Sequence, residues 1–399
     1  MIEESRLSMA RGLGKYTVSF YILILCNIVI FFNVSAMPNL LNQLIKEFSL
    51  DFASASRIIY YYMFAYGISA LFVVFFHEIL NRYKSLIISM HLIILLNCII
   101  ALVRNYQLIL ICRIWCGISG SIVAPTSLTI IKDLFHETKE EKIGYLFGAN
   151  SVAGITGTLL SGYFSWRLLF LIPAIMGVIA LFLLVALFPR QDLLRCDKRR
   201  KMGVKRLLGN YVTIFAQSNH INVFILIFIN SFICTGFYSY FGYHLKTYYR
   251  LSLLDISYIL PLSIIGSILM NFMIGKISRI FSSDRIIQGG FFLLAISLLL
   301  FKVSWTWIIV LIMLIFGIAR AMIHSMAVSS WLDFPESIRS NASSFNSFIV
   351  FLGGSLGVRI LPCFFRTAGF TFAAQSIALA IMAISLLSTL AVRLQALSK

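Results

Sequence analysis

The chain is short of charge, and above all of negative charge. Of its 399 residues only 12% are Asp, Glu, Lys or Arg, and only 15 are acidic. Soluble domains carry about 25% charged residues, so a water-exposed globular surface is excluded for most of this polypeptide. Cysteine is sparse too. The seven residues Cys26, Cys98, Cys112, Cys116, Cys196, Cys234 and Cys363 are scattered and fall into neither a disulfide framework nor a zinc spacing. No phosphate-binding Gly-x-x-x-x-Gly-Lys loop, no Gly-x-Ser-x-Gly elbow and no metal-binding histidine pair is present, which argues against direct nucleotide hydrolysis, serine hydrolase chemistry and a catalytic metal. An enzyme is not expected, nor a cofactor.

What remains is apolar. Hydrophobic residues make up 60% of the chain. Windows of membrane-spanning length fall at 16 to 37, 56 to 77, 85 to 103, 107 to 131, 144 to 163, 167 to 188, 221 to 244, 255 to 275, 286 to 303, 306 to 332, 342 to 360 and 368 to 392. Charged residues, or Pro and Asn, break the runs, as at Pro38-Asn39, Arg104-Asn105 and Lys302-Val303-Ser304. Segments this long must be helices, since a barrel would show shorter alternating strands. The expected fold class is therefore an all-α integral membrane protein of twelve helices.

The formal charge of +18 is concentrated between the runs. With the N-terminus in the cytoplasm, 22 Lys and Arg lie on that side and 9 on the other. This distribution satisfies the positive-inside rule with both termini cytoplasmic, and it explains the basicity without nucleic acid. Arg6, Arg11 and Lys15 before an apolar run could open a signal peptide, but the run from Tyr16 to Met37 is too long for one. The most basic stretch, Arg190 to Arg206, lies almost at the midpoint. It suggests a six-helix bundle over 1–188, a basic cytoplasmic linker over 189–220 and a second six-helix bundle over 221–399. A shift of about 200 residues carries Gly117-Ile118 onto Gly317-Ile318 and Phe135-His136-Glu137 close to Phe334-Pro335-Glu336, as an internal repeat requires.

Several segments together resemble the major facilitator superfamily, and within it the twelve-span drug:proton antiporter branch. They are Met37-Pro38 with Phe48-Ser49-Leu50 and Arg57, Arg113-Ile114-Trp115-Cys116-Gly117 with Ser119-Gly120, Ser165-Trp166-Arg167 with Phe170, and Phe334-Pro335-Glu336 with Ile338-Arg339. The resemblance covers nearly the whole chain and implies two pseudo-repeated bundles alternating access to a central site between spans one, four, seven and ten. Two segments depart from the branch. After the second span only Arg82 matches its loop motif, and the fifth span reads Gly157-Thr158-Leu159-Leu160-Ser161-Gly162 where the branch has Gly-Pro-x-x-Gly-Gly.

Every acidic residue falls in a loop or at a span end, whereas Arg113, Arg320 and His324 lie within spans. An intramembrane cation is costly unless it faces water or a partner. Arg113, Gly117, Gly120, Ala124 and Ser127 share one helical face, as do Gly317, Arg320 and His324. Both faces are expected to line a cavity in which the arginines hold an anionic group and His324, with an ordinary pKa near 6.5, exchanges a proton. Helix-capping or packing roles are the alternative for all three. Asn27, Asn230 and Tyr238 are further candidates for substrate contact, with helix-to-helix bonding and an interfacial aromatic belt as alternatives. Arg82, Arg279 and Arg339 are expected to close the cytoplasmic face through acidic partners. Gly117, Gly120, Gly154, Gly157 and Gly162 are expected to permit close helix approach.

The expected function is secondary transport of a small organic solute, neutral or anionic, such as a carboxylate-bearing metabolite or siderophore. Proton-coupled efflux by a monomer in a bacterial inner membrane is favoured. Import of an organic anion with protons, and a non-transporting receptor or scaffold, are the alternatives.

Overall fold

The structure, a computed structural model, describes residues 2–135, 138–188, 209, 211–214, 218–301, 306–329 and 336–397, with side chains described over 16–135, 141–188, 222–301, 307–328, 341–383 and a few further positions. Helices account for nearly all of it. The first span ends the helix Ile2–Ser35. The second is Arg57–Ala70 continued by Val73–Leu80, and the third to sixth are Arg82–Leu102, Tyr106–Leu134, Lys139–Leu160 and Trp166–Leu187. The seventh is Ser218–Thr247. The eighth is the pair Leu253–Ile259 and Leu262–Ile277, and the ninth to twelfth are Ser283–Leu300, Thr306–Ser329, Glu336–Ala368 and Phe370–Leu397. Among the described residues ten helices are long and apolar enough to cross a membrane, eleven if the bent second span counts as one. The twelfth expected crossing is represented by the shorter apolar helix Phe370–Ala383. Most of the expected linker, 189–220, lies outside the described residues.

Local chemistry sets the boundaries. Asn105 accepts from the backbone N–H of Gln107 at 2.9 Å and starts the fourth span, and Ser252 and Asp255 form a reciprocal capping box at the start of the eighth. The second span bends by 65° at Leu71-Phe72 without a proline. The break frees the Leu71 carbonyl, which accepts from the Tyr211 hydroxyl at 2.7 Å. A short amphipathic helix, Met37–Phe48, follows the first span with Pro38 in its first turn. It ends at Ser49, whose φ of 51° is left-handed.

Within the first bundle, span one packs on spans five and six, span two on four, and span three on four and six; within the second, span seven packs on ten and eleven, eight on ten, and nine on ten and twelve. Glycine contacts repeat with the chain. A side chain at Gly157 would strike the Phe32 carbonyl, and one at Gly357 would strike that of Phe232, both pairs related by 200 residues. Gly154 meets Ser35 as Gly354 meets Thr235, again 200 residues on, and Gly117 abuts the Tyr62 carbonyl as Gly317 abuts that of Ser263. The repeat is therefore one of contacts, which sequence letters show only faintly. Large apolar side chains such as Ile175, Val178, Ile179 and Phe182 remain outward on span six, facing where lipid would lie.

Two seams join the bundles. One runs between spans two and eleven, the other between spans five and eight. We call the end bearing the termini the terminal end and the other the distal end. The helix Met37–Phe48 lies at the distal end, against span seven.

Candidate functional site

The tenth span shows where water reaches the interior. Trp307 and Leu311 are exposed on its outward face. Arg320 is also exposed, yet it follows Leu311 by nine residues, half a turn away at about 100° per residue. Its exposure therefore belongs to the opposite, inward side of the helix. On that side Met313, Phe316 and Gly317 are buried toward the distal end, whereas Arg320 and the half-buried His324, one turn later, are accessible. The interior is thus closed distally and open toward the terminal end. Arg320 lies within electrostatic reach of Cys234 and Tyr238 on span seven and of His324, and no described carboxylate pairs with it.

Tyr238 forms part of the ceiling. Its hydroxyl donates to the Leu260 carbonyl at 3.3 Å, and it stands beside Thr158 of span five and Ser263 of span eight. Asn230, one further turn toward the terminal end from Cys234, is buried and accepts from the Cys234 thiol at 3.3 Å. Four expected residues, Arg320, His324, Tyr238 and Asn230, thus belong to spans seven and ten of the second bundle, with Arg320 near both Tyr238 and His324.

Arg113 is placed differently. It is 1% exposed, inside the first bundle rather than on a wet wall. Its Nε donates to the Ile58 carbonyl at 3.3 Å, a terminal nitrogen donates to Asn33 Oδ1, and the guanidinium lies 4.1 Å from the Tyr62 ring centroid and 5.8 Å from that of Phe170. Asn33 passes the polarity on to Asn97 at 2.6 Å, and Asn97 to the Ile93 carbonyl at 2.7 Å. A void of about 10 Å³, room for one water, borders Asn33, Asn97, Tyr62 and Cys116. The face expected to line the cavity instead packs on span two: Gly117 meets the Tyr62 carbonyl and Gly120 the Tyr62 hydroxyl. Periodicity gives a common face but not the neighbour it meets. Asn33 and Asn97, which sequence reasoning missed, were signalled only as amides in apolar windows.

Asn27 is buried and donates to Ser127 Oγ and to the Leu23 carbonyl, both at 2.8 Å, tying span one to span four. Its Oδ1 has no hydrogen-bond partner among the described residues. Arg82 pairs with Asp133, so this ion pair links the second and third spans' junction to the end of the fourth within one bundle rather than across the two. Arg279 is exposed at the terminal end. Arg339 lies on the eleventh span's helix, with its side chain outside the described residues. Three glycines of span five lie close to neighbouring helices. Gly157 packs on Phe32 within the bundle, while a Cβ added at Gly154 would lie 3.3 Å from Ile264 and one at Gly162 would strike Ser257 across the seam.

The distal closure is polar and aromatic. Asn39 donates to Ser161 Oγ at 2.9 Å and to the Leu253 carbonyl of the other bundle at 3.2 Å, and Asn42 donates to the Gly242 carbonyl at 3.3 Å. Phe52 packs on Tyr240 and Tyr243, each 5.0 Å between centroids, and Tyr163 hydrogen-bonds Tyr258. Glu47 anchors the connecting helix to span six through Trp166 and Arg167. Partial burial would raise its carboxyl pKa, but those hydrogen bonds and the Arg167 charge outweigh it and hold Glu47 below the ordinary range. Among the described residues no cluster of His, Cys, Asp and Glu is placed to hold a metal.

Known proteins agree with this architecture. A relative from Buchnera aphidicola (Schizaphis graminum strain), described as an uncharacterized transporter, is 23% identical over 325 residues, covering 78% of this chain and 76% of its own. Among solved structures, the nucleoside transporter NupG superposes with a TM-score of 0.72 at 14% identity, over 93% of this chain and 97% of that one. The inward-open xylose transporter XylE from E. coli gives 0.70 at 14% identity, over 94% and 95%. The Major Facilitator Superfamily profile matches residues 23–358. Paired bundles, repeated glycine contacts and a polar interior reached from one end accordingly have a common explanation: this integral membrane chain is a transporter belonging to the major facilitator superfamily.

Proposed function

We propose that the protein carries a small organic anion across a bacterial inner membrane by alternating access, with both termini cytoplasmic and with proton coupling. One observation carries the reading. Arg320 presents a charge to the open interior, on the helix face opposite Leu311, with His324 one turn away and no described carboxylate to neutralise it. A guanidinium in such a site attracts carboxylate or phosphate in a bidentate fork. His324, an imidazole one turn from Arg320, is the group this reading assigns to proton exchange. Tyr238 would contact the substrate from above, and Asn230 would steady span seven beneath it. Arg113, buried against Asn33 and Tyr62, serves this reading as a fixed charge that holds the first bundle's helices in register.

Efflux against proton entry follows from the resemblance to the drug:proton branch. A second reading, anion import with protons, is favoured by Thr158. It stands where that branch has proline, and its hydroxyl donates to the Gly154 and Ser35 carbonyls at 2.9 Å within an unbroken helix. Proteoliposomes with an imposed pH gradient and a panel of radiolabelled carboxylates, phosphates and lipophilic cations test both. Arg320→Gln should lower anion flux at least tenfold, about 1.4 kcal/mol, with the protein still in the membrane. Cation-selective flux indifferent to Arg320 would reject the proposal.

A further inference from the structure

We propose that the substrate is an amphiphilic anion with a single acyl chain, which reaches Arg320 sideways from the leaflet at the terminal end, through the unclosed half of the seam between spans five and eight. This inference rests on the anion reading of Arg320 and adds the tail and the route.

The seam changes character along its length. In its distal half, Gly154 meets Ile264, Gly162 meets Ser257, Thr158 is fully buried and Tyr163 bonds Tyr258. In its terminal half, a side chain added at Gly144, Gly148 or Gly275 would meet nothing within 4 Å among the described residues. Asn271, Phe272 and Met273 follow one another on span eight and all three are exposed, Phe272 at 81%. Asn271 nevertheless accepts from Ser325 of span ten at 2.9 Å, and successive helical residues point about 100° apart, so span ten holds one side of this helix while Phe272, about 100° on, is left bare. On span five, Gly144, Tyr145, Phe147 and Gly148 are likewise all exposed. The opposite seam is closed at the corresponding depth by Tyr211, Phe345, Leu71, Val74 and Phe75, so the opening is one-sided.

The chemistry of the doorway selects its traffic. Phe147 and Phe272 make its walls apolar, and Lys276, Arg279 and Arg285 are exposed at its terminal end. A small hydrophilic anion has no use for apolar walls, because the open end of the interior already admits it. A chain dissolved in the leaflet slides between such walls without being desolvated, while cations at the interface gather anionic headgroups there. Inside, Arg320 supplies the complementary charge. Apolar walls, an interfacial basic rim and an interior guanidinium along one path fit a tail with an anionic head.

The test uses the full chain in liposomes containing a trace of a lysophosphatidate whose acyl chain bears a diazirine, followed by photolysis and peptide mapping. The expected labelling falls on residues 144–151, 269–276 and the part of span ten around Arg320. It drops at least fivefold in Arg320→Gln, is retained in Arg320→Lys and is absent from the interior with a zwitterionic lysolipid of the same chain length. The Lys variant separates loss of charge from loss of fold. Equal labelling at both seams, or labelling indifferent to Arg320, overturns the inference. If short water-soluble dicarboxylates are transported in an Arg320-dependent way without competing with the photoprobe, the amphiphile inference fails while the anion reading stands. If neither class of anion depends on Arg320, the anion reading itself has failed.

Discussion

The two seams between the bundles are built from the same repeat yet hold differently. Between spans two and eleven the contact runs from end to end. Tyr66 stacks on Phe351 with 3.7 Å between centroids and 15° between planes, Gly67 backs onto Phe348 and Leu352, and Met63 enters the space over Gly354. Tyr211, bonded to the broken turn at Leu71, continues the contact toward the terminal end. Between spans five and eight the contact stops halfway. The difference teaches that closure here is set by what replaces glycine's missing side chain. Against Gly67 the backbone of span eleven fills the space and against Gly354 the Met63 side chain does, whereas against Gly144, Gly148 and Gly275 no described residue does. One seam is packed through the depth described, and the other over its distal half only.

The largest expected effect comes from wedging the closed seam apart. Gly67→Leu must displace backbone of span eleven that already lies 3.3 Å from a Cβ at that position. Overpacking of this kind costs about 1–3 kcal/mol. A fall of several degrees in melting temperature with loss of transport is expected, while Gly148→Leu, pointing into open space, leaves the melting temperature within a degree. Equal losses in the two variants would erase the distinction between the seams.

A smaller effect is expected from Asn39→Ala at the distal closure. It removes the bonds to Ser161 and to the Leu253 carbonyl and leaves those groups without their partner, at about 1–2 kcal/mol. The distal end should open more often, read as faster maleimide modification of a cysteine placed at Ser257. Unchanged reactivity there would show that the aromatic contacts alone hold that end.

The smallest effect concerns Asp51, which bridges to Arg366 at 3.6 Å with both side chains well exposed. Hydrogen bonds from Ser54 first, and the Arg366 charge after them, hold its carboxyl below the ordinary 3.8. Only the Arg366 contact joins the bundles, so its share of the depression stabilises the closed state, in full above that ordinary value and lost as pH falls through the native one. Between pH 5 and 8 the closure should be insensitive to this group, and Asp51→Asn should cost a few tenths of a kcal/mol. A pH-dependent distal opening in that range which vanishes in Asp51→Asn would contradict the assignment.

Much of the architecture was legible in the residues. Apolar windows locate the spans because lipid leaves a backbone little choice but helix, and a 200-residue shift already aligned Gly117 with Gly317. Arg320 and His324 fall on one face by spacing alone, and the structure adds which way that face turns. Arg113 was readable as an intramembrane cation but not as a buried one, because its partners Asn33 and Tyr62 come from other spans and no periodicity encodes them. Arg82 was readable as a cation at a span end, but not its pairing with Asp133 in the first bundle, since charge counting cannot tell which carboxylate lies near. The one-sided seam was invisible for the same reason. It arises from tertiary contacts to glycines that look alike along the chain.

The central claim is that the interior opens at one end and along one seam only. In a cysteine-free background, single cysteines at positions 148 and 275 on the open seam and at 63 and 351 on the closed one, probed with a maleimide added on the side of the termini, measure it directly. Rapid modification at 148 and 275 with protection at 63 and 351 is predicted, and the reverse order, or uniform rates at all four positions, would contradict the account.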